Sequence, residues 1–559
     1  MSERILVAVA WPYANGPLHL GQIAGAYLPA DIFARYHRTK GNEVLMVSGS
    51  DQHGTPITIK ADQEGKKPSE IAARYHQQFL DSWQKLGISF DLFTTTSTAN
   101  HASVAQDIFL TLLDRGYIYK EITSQPFCPQ CQRFLPDRYI EGTCPYCHSP
   151  GARGDQCDQC DKPLSPAELI DPRCRLCSTT PIFRDSEHFF LKLSAFSDKL
   201  FTWVEQQRNH WRPNALNLTM RYLKEGLKDR AITRDIEWGV PVPIDGYEDK
   251  RIYVWFEAVI GYLSAAKEWA KLSGDEEKWR SFWQGDEVKS YYFIGKDNIL
   301  FHTLIWPAML MGYDDDLNLP YDVPANEFLT IEGRKLSTSH NWAVWLPDYL
   351  SRYDPDPLRY ALSINMPETG DTDFSWREFV RRNNDELVAT YGNLVNRVLT
   401  FVYRNFDGCV PTPSNTSASP TQLEINSAAK FNDVGRLLSD CHFKQAIILA
   451  MSLAHEANRY LDEKSPWKVI KEDRQAAANS LFAAICVISH LKTMLYPFLP
   501  FSSQKVHEFL GFEGKIEDYG WQLHTPPPGQ RLREPQPLFT KLDEKVVEEE
   551  TKRLGQVPG

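Results

Sequence analysis

Two short stretches carry residue types suited to polyphosphate chemistry. In residues 12–22, PYANGPLHLGQ, a Gly-containing turn follows a β-rich run and opens a helical pattern. Backbone N–H groups at such a turn are placed to meet phosphate. His19 and Gln22 are three apart and share one helical face. Gly21, lacking a side chain, would let a planar base approach the backbone. In residues 332–341, EGRKLSTSHN, Lys335 stands among small hydroxyl residues. That is the make-up of a mobile loop whose ammonium follows charge onto a polyphosphate leaving group. Alone, the first stretch reads equally well as an ordinary turn with a surface His, and the second reads better as a solvated loop.

A third constellation is made of cysteine. Eight of the eleven cysteines lie between Cys128 and Cys177, as the pairs CPQC, CPYC, CDQC and CRLC. Zinc takes four thiolates in a tetrahedron, and each Cys-x-x-Cys knuckle supplies two. Eight thiolates make two sites, and the short spacers permit pairing of consecutive knuckles. Disulfide frameworks belong to short, cysteine-dense secreted domains, so metal binding is the better reading. Redox use of the Cys-x-x-Cys pairs is the minor alternative.

The elements that must position these groups follow from periodicity. Residues 4–10 form a buried β-run, 26–41 have helical spacing with a Gly stop, and EVLMVSGSD is a second buried strand. Strand, loop, helix, strand is the start of a parallel α/β sheet. Residues 69–86 and 98–115 look helical. After Tyr119 comes a Pro- and Gly-rich insert holding the cysteines. RIYVWFEAVIGYLSAA and SYYFIGKDNILFHTLIWPAML then resume a strand-then-helix rhythm, read as the second half of the same sheet. From about Arg381 the pattern becomes long amphipathic helices, DELVATYGNLVNRVLTFVYR, FKQAIILAMSLAHEANRYLDEK and AAANSLFAAICVISHLKTMLY, with a polar linker at 410–422. These form a helical bundle. The last forty or so residues read as partly disordered or packed extended on the surface.

Composition agrees with a multidomain enzyme. The 559 residues are 42% hydrophobic and 24% charged, enough to bury a large core in several domains. No apolar run reaches the roughly 18 residues of a membrane-spanning helix. The N-terminal MSERILVAVAWPY reads as a first strand and not an export signal. The net charge of -11 argues against a generic basic nucleic-acid coat. Residues 1–380 hold all of that charge, while 381–559 balance 21 basic against 21 acidic residues.

Taken together, HLGQ and KLSTS resemble the HIGH and KMSKS signatures of class I aminoacyl-tRNA synthetases. Within that class the chain is most similar to the methionyl family. AWPYANGPLHLG, SDQHGTPI, DRYIEGTCPYC, YVWFEAVIGYLSA, FIGKDNILFHTLIWPAML and NRYLDEKSPW occur in the family's order. The resemblance implies a split Rossmann-type parallel sheet with a zinc-knuckle insert, then an all-α anticodon-binding bundle. The implied segments are 1–118 and 233–322 for the two halves of the catalytic fold and 119–232 for the insert. Residues 323–380 would be a linking segment with the KMSKS-like loop, and 381–559 the anticodon domain and tail.

Carried over residue by residue, the resemblance assigns His19, Gln22, Lys335 and Thr338 to catalysis. It places Pro12, Asn15, Gly16, His19, Gly21, Gln22, Lys296, Lys335, Ser337 and Thr338 around ATP. Ala10, Trp11, Tyr13, Asp51, Trp255, Ala258, Val259, Tyr262, Asn298 and His302 would surround methionine, with Asp51 on its ammonium. Aromatic edges suit a thioether, at about 0.3–1.5 kcal/mol per contact. It nests the knuckles, with Cys144, Cys147, Cys157 and Cys160 as one zinc site and Cys128, Cys131, Cys174 and Cys177 as the other. Asn393, Arg397 and Trp467 would read the anticodon, Trp467 as a stacking platform. Two positions depart from the family: Gln22 replaces the last His of HIGH, and Thr338 replaces the second Lys of KMSKS. Lys296 is a candidate compensating cation. The implied partners are methionine, ATP with magnesium and methionine tRNA including the initiator. The implied protein is a cytoplasmic monomer with one or two structural zinc ions and no membrane partner. A sister enzyme for leucine or cysteine, and a non-catalytic RNA-binding relative, are the competing readings.

Overall fold

The structure, a computed structural model, describes residues 2–556 except 155, 156, 158, 161, 163, 339 and 415–419, so the middle of the 410–422 linker lies outside the described residues. A five-stranded parallel sheet forms the centre. Its strands are β1 (Arg4–Val9), β2 (Glu43–Ser50), β3 (Leu92–Thr95), β4 (Val288–Gly295) and β5 (Ala325–Asn326), in the order β5-β4-β1-β2-β3. β1 lies between β2 and β4, so the winding reverses beside it. Ligands of such sheets bind at that switch point, outside the carboxyl ends of the strands. Residues 10–22, 51–53 and 295–302 all emerge there.

Alternate residues of β1 face opposite sides. Leu6 and Ala8 pack with α3 (Ala99–Asp114) and α4 (Val254–Leu272). Ile5, Val7 and Val9 face α1 (Leu28–Thr39), in a core that also takes in α2 (Pro68–Leu86). Both faces are covered, which is why these strands read as continuous apolar runs.

One sequence expectation is corrected here. The strand before α4 is only Arg251–Ile252, and it pairs with Thr233–Arg234 in a separate ribbon. The second half therefore gives the main sheet β4 and β5, because β4 already occupies the edge of β1. The insert rests on a long antiparallel ribbon, Ile118–Cys128 against Ile182–Leu191, whose far end carries the knuckles.

The helical part begins before residue 381. A helix starts at Trp376, widens into a π-helical stretch at Arg382–Gly392 and continues as α5 (Asn393–Asn405). Then come α6 (Gln422–Ser439), α7 (Phe443–Lys464) and α8 (Arg474–Leu495). α6 was not among the expected helices; Thr421 and Glu424 form its capping box. α7 stops at Ser465, which adopts φ 43° just before Pro466. α8 is apolar enough to cross a membrane by composition, but 83% of its apolar window is buried inside the protein.

The tail is packed. Trp521 lies 4.8 Å from the rings of both Phe431 and Tyr36. A last helix, α9 (Lys545–Arg553), is followed by Gly555, whose N–H donates to the Asn341 carbonyl at 3.0 Å. The two large parts are stapled by Arg359, which is fully buried. Its guanidinium donates to Asp31 Oδ2 (2.6 Å) and to the carbonyls of Pro497 (2.9 Å) and Phe498 (2.8 Å). Burial pushes the Asp31 pKa up, but the guanidiniums of Arg35 and Arg359 overcome it and hold the carboxyl at about 2.

Candidate active site

The HLGQ turn is an interlocked cap. His19 is extended (φ -123°, ψ 162°) and caps the short helix Leu20–Gln22. The Gln22 N–H donates to His19 Nδ1 at 3.3 Å, and Gln22 Oε1 accepts from the His19 N–H at 3.0 Å. Because Nδ1 must accept, the neutral ring carries its proton on Nε2. Burial holds the His19 pKa down at about 4, so the ring is neutral at physiological pH. The Gln22 amide keeps its NH₂ for an outside acceptor.

Gly21 is closely packed where a side chain would project. A Cβ there would lie 2.7 Å from Leu336 Cδ1 and 3.2 Å from the His19 ring. The KLSTS loop is thus seated against the HLGQ turn. It leaves a tight turn at Glu332 and Gly333 (φ 49° and 72°). It closes through mutual backbone bonds between Ser337 and Trp342 at 3.1 and 2.9 Å.

One cavity of about 740 Å³ opens at the carboxyl end of the sheet. Every residue assigned to methionine lines it: Ala10, Trp11, Tyr13, Asp51, Trp255, Ala258, Val259, Tyr262, Asn298 and His302. Of the ATP set, Pro12, His19, Gly21, Gln22, Lys296 and Lys335 line it, whereas Asn15, Gly16, Ser337 and Thr338 do not. Thr338 is exposed.

The aromatic wall is held by missing side chains. The Trp11 indole lies between Gly49 and Gly261, where an added Cβ would come within 2.4 and 2.7 Å of the ring. Tyr13 lies over Gly54 in the same way, at 2.3 Å. Trp255 stacks on Phe301 at 4.5 Å and meets Tyr13 edge-on at 6.2 Å. At the bottom, His302 Nδ1 lies 2.8 Å from the Asn298 carbonyl, which only accepts. His302 therefore donates there, and its Nε2 accepts from the Tyr262 hydroxyl at 2.7 Å. Burial lowers the His302 pKa to about 4. The bottom of the cavity is neutral and aromatic, a surface for an uncharged polarisable group.

The mouth carries ionisable groups. Burial, and then the negative charge of Glu257, raise the Asp51 pKa to about 8; a docked cation would reverse that. Lys296 is gripped by Glu327 Oε2 and Asp371 Oδ1, both at 2.7 Å, over the Phe328 ring. Two π-helical turns, Ile23–Tyr27 and Phe301–Ile305, present Gly25, Ala26, Tyr27, Phe301 and His302 to the cavity. Such turns are enriched at functional sites.

The eight thiols form two nested groups. Cys128, Cys131, Cys174 and Cys177 make one, and Cys144, Cys147, Cys157 and Cys160 the other; in each set the sulfurs lie within 4.8 Å of one another. Sulfur separations are 3.4 and 3.9 Å in the first set, and 3.8 and 3.6 Å in the second. A tetrahedron with Zn–S near 2.3 Å has edges of about 3.8 Å, so both donor sets fit zinc. In the bundle, the Arg397 guanidinium lies over the Trp467 ring at 4.1 Å and pairs with Asp462 at 2.9 Å. Asn393, one turn earlier on α5, is exposed.

The family described as tRNA synthetases class I (M) matches residues 5–399. This chain belongs to that family. The anticodon binding domain of methionyl tRNA ligase matches residues 410–558. The methionine–tRNA ligase of Dehalococcoides mccartyi strain BAV1 is 63% identical over 99% of this chain and 100% of its own length. That of Thermomicrobium roseum is 54% identical over 99% of each chain. A solved structure of Mycobacterium tuberculosis methionyl-tRNA synthetase in complex with methionyl-adenylate matches with a TM-score of 0.80 at 26% identity, covering 96% of this chain and 100% of that one.

For this member of the class I (M) family, the sequence missed the acids around the cavity. Glu327 and Asp371 reach Lys296 from 31 and 75 residues away, and no local spacing announces such a grip. Glu257 and His53 are a second omission. A charged residue inside the apolar run YVWFEAVIGYL was the available signal, since a helix face that apolar leaves an acid no exit to water.

Proposed function

We propose that the protein activates methionine with ATP and transfers it to methionine tRNA, the initiator included. The observation that carries this reading is the joining of two halves in one cavity. The neutral aromatic pocket of Tyr262, His302 and Trp255 suits a thioether, and His19 and Lys335 line the same cavity beside it. Asp51 at the pocket mouth suits the substrate ammonium.

The methionine carboxylate oxygen attacks the α-phosphorus of magnesium-bound ATP. The bond to the β-phosphate oxygen breaks and pyrophosphate leaves. The His19 Nε2–H and the Lys335 ammonium stabilise the charge that develops, which is how positioned donors accelerate such steps. A hydroxyl of the terminal tRNA adenosine then attacks the adenylate carbonyl and AMP leaves. No protein nucleophile takes part. The two cysteine sets would hold zinc, which locks an insert with few apolar residues of its own. Arg397, Trp467 and Asn393 would meet single-stranded anticodon bases. The reading is completed by a cytoplasmic monomer without a membrane partner.

ATP–pyrophosphate exchange across amino acids tests this, with metal analysis on the same sample. Methionine should give the fastest exchange, and Lys335→Ala should lower it at least about a hundredfold. Fastest exchange with leucine or cysteine would reassign the substrate. No exchange with any amino acid, with tRNA still bound, would favour a non-catalytic relative.

A further inference from the structure

Behind Asp51 lies a buried acid held between two histidines. Glu257, in the first turn of α4, is fully buried and sits between the cavity-lining residues Trp255 and Ala258. Its Oε1 is 2.8 Å from His53 Nδ1. Its Oε2 faces His101 Nε2 at 3.6 Å and has no hydrogen-bond partner among the described residues. The His53 ring reaches Ser97 Oγ through Nε2 at 3.3 Å, and Trp238 packs edge-on against it. The backbone N–H of His53 donates to Asp51 Oδ1 at 3.2 Å. A continuous set of contacts therefore runs from α4, through the His53 ring and backbone, to the carboxylate at the cavity mouth. An ionised acid buried this deeply is costly unless a cation balances it. Here the balancing group is the imidazole that also braces Asp51.

We propose that Glu257 is a positioning residue: acting through His53, it fixes Asp51 in the orientation that receives the ammonium of the amino-acid substrate. The inference rests on the assignment of Asp51 made above. Charge supports the geometry. Against the pull of burial, Glu257 raises the His53 pKa. Glu257 also adds to burial in raising that of Asp51. The titratable groups that face one another are Asp51 and His53 from the loop after β2, Glu257 from α4 and His101 from α3. Tyr13, Tyr253 and Arg138 stand beyond them. The incoming ammonium completes a balanced set.

The test is Glu257→Gln in the full-length protein, with pyrophosphate exchange followed from pH 6 to 9.5. KM for methionine should rise about tenfold and stay raised at pH 9.5, where Asp51 is ionised in both proteins. KM for ATP and kcat at saturating methionine should stay within about twofold. The rise of kcat/KM for methionine with pH should move to lower pH, because a like charge beside Asp51 is gone. His53→Asn keeps the backbone N–H but loses the bridge. It should raise KM for methionine similarly, and the double variant should add little to either single one. If Glu257→Gln does not fold, His53→Asn carries the test through the same KM split. An unchanged KM and pH profile, or equal losses for methionine and ATP, would overturn the proposal. Loss of exchange in the parent protein would instead overturn the proposed function.

Discussion

His19 and Gln22 show how one glutamine serves two ends. Its carbonyl oxygen caps the turn and leaves the amide NH₂ outward, so the family's missing histidine costs no cap. Thr338, the other departure, lies off the cavity, and the cation it replaces is not needed to shape the pocket. A Cβ at Gly21 would press on Leu336 Cδ1 at 2.7 Å. Gly21→Ala should push the KLSTS loop outward and raise KM for ATP about tenfold in pyrophosphate exchange, with KM for methionine unchanged. Trp467 has Arg397 over its ring and packs against the bundle core; under the proposed function its exposed part would meet an anticodon base. Base–aromatic stacking contributes about 1–3 kcal/mol. Trp467→Ala should therefore lower kcat/KM for tRNA by about five- to 150-fold in aminoacylation and leave exchange intact.

Among the elements, the insert and α8 make opposite demands. Apart from cysteines, the described residues of the knuckles bury small apolar sets, Ile140, Ala152 and Leu169 in one and Leu135 and Tyr139 in the other. Under the proposed function, metal-bound thiolates would hold the turns in place. Chelation of the metal should open the insert to proteolysis between residues 128 and 177, while far-UV circular dichroism retains the helical signal. α8 buries Lys492 completely. Burial lowers its pKa from 10.5 to about 7, with Thr493 Oγ1 at 3.3 Å and the Phe512 ring beside it. Between pH 7 and 9.5 the unfolded chain binds a proton that the folded one does not, so stability rises with pH. Lys492→Met should remove that rise and raise Tm at pH 7, as read in thermal melts across the window.

The whole molecule is organised around one shared core. The side of the sheet that holds Ile5, Val7 and Val9 continues without interruption to Leu399, Leu481 and Leu495 of the bundle. Arg359, Asp31 and Arg35 cross that junction as a buried charge network. Removing one partner of such a network costs about 3–5 kcal/mol, because the other charge remains buried. Arg359→Met should lower stability by that order. In calorimetry the sheet and the bundle of this variant should unfold as two transitions, since they lose their common staple. The tail adds a second tie, since Gly555 bonds Asn341 at the end of the KLSTS loop.

What the sequence determined by itself was local: apolar runs at β1, β2 and β4, the helical spacing of α5, α7 and α8, and the HLGQ, KLSTS and Cys-x-x-Cys stretches. Each is written in neighbouring residues, as periodicity or as ligand spacing, and so is legible without coordinates. The resemblance built on those stretches also reached the ten residues around the aromatic pocket. The tertiary structure decided the rest. It built the nested knuckles, which spacing left open and the resemblance implied, by bringing Cys128 beside Cys177. It left the strand before α4 out of the sheet, since β4 had filled that edge. It set Lys296 between two distant acids and Glu257 between two histidines. Those choices depend on which surfaces meet in a packed core, and contacts between residues tens or hundreds of positions apart leave no period in the chain to read.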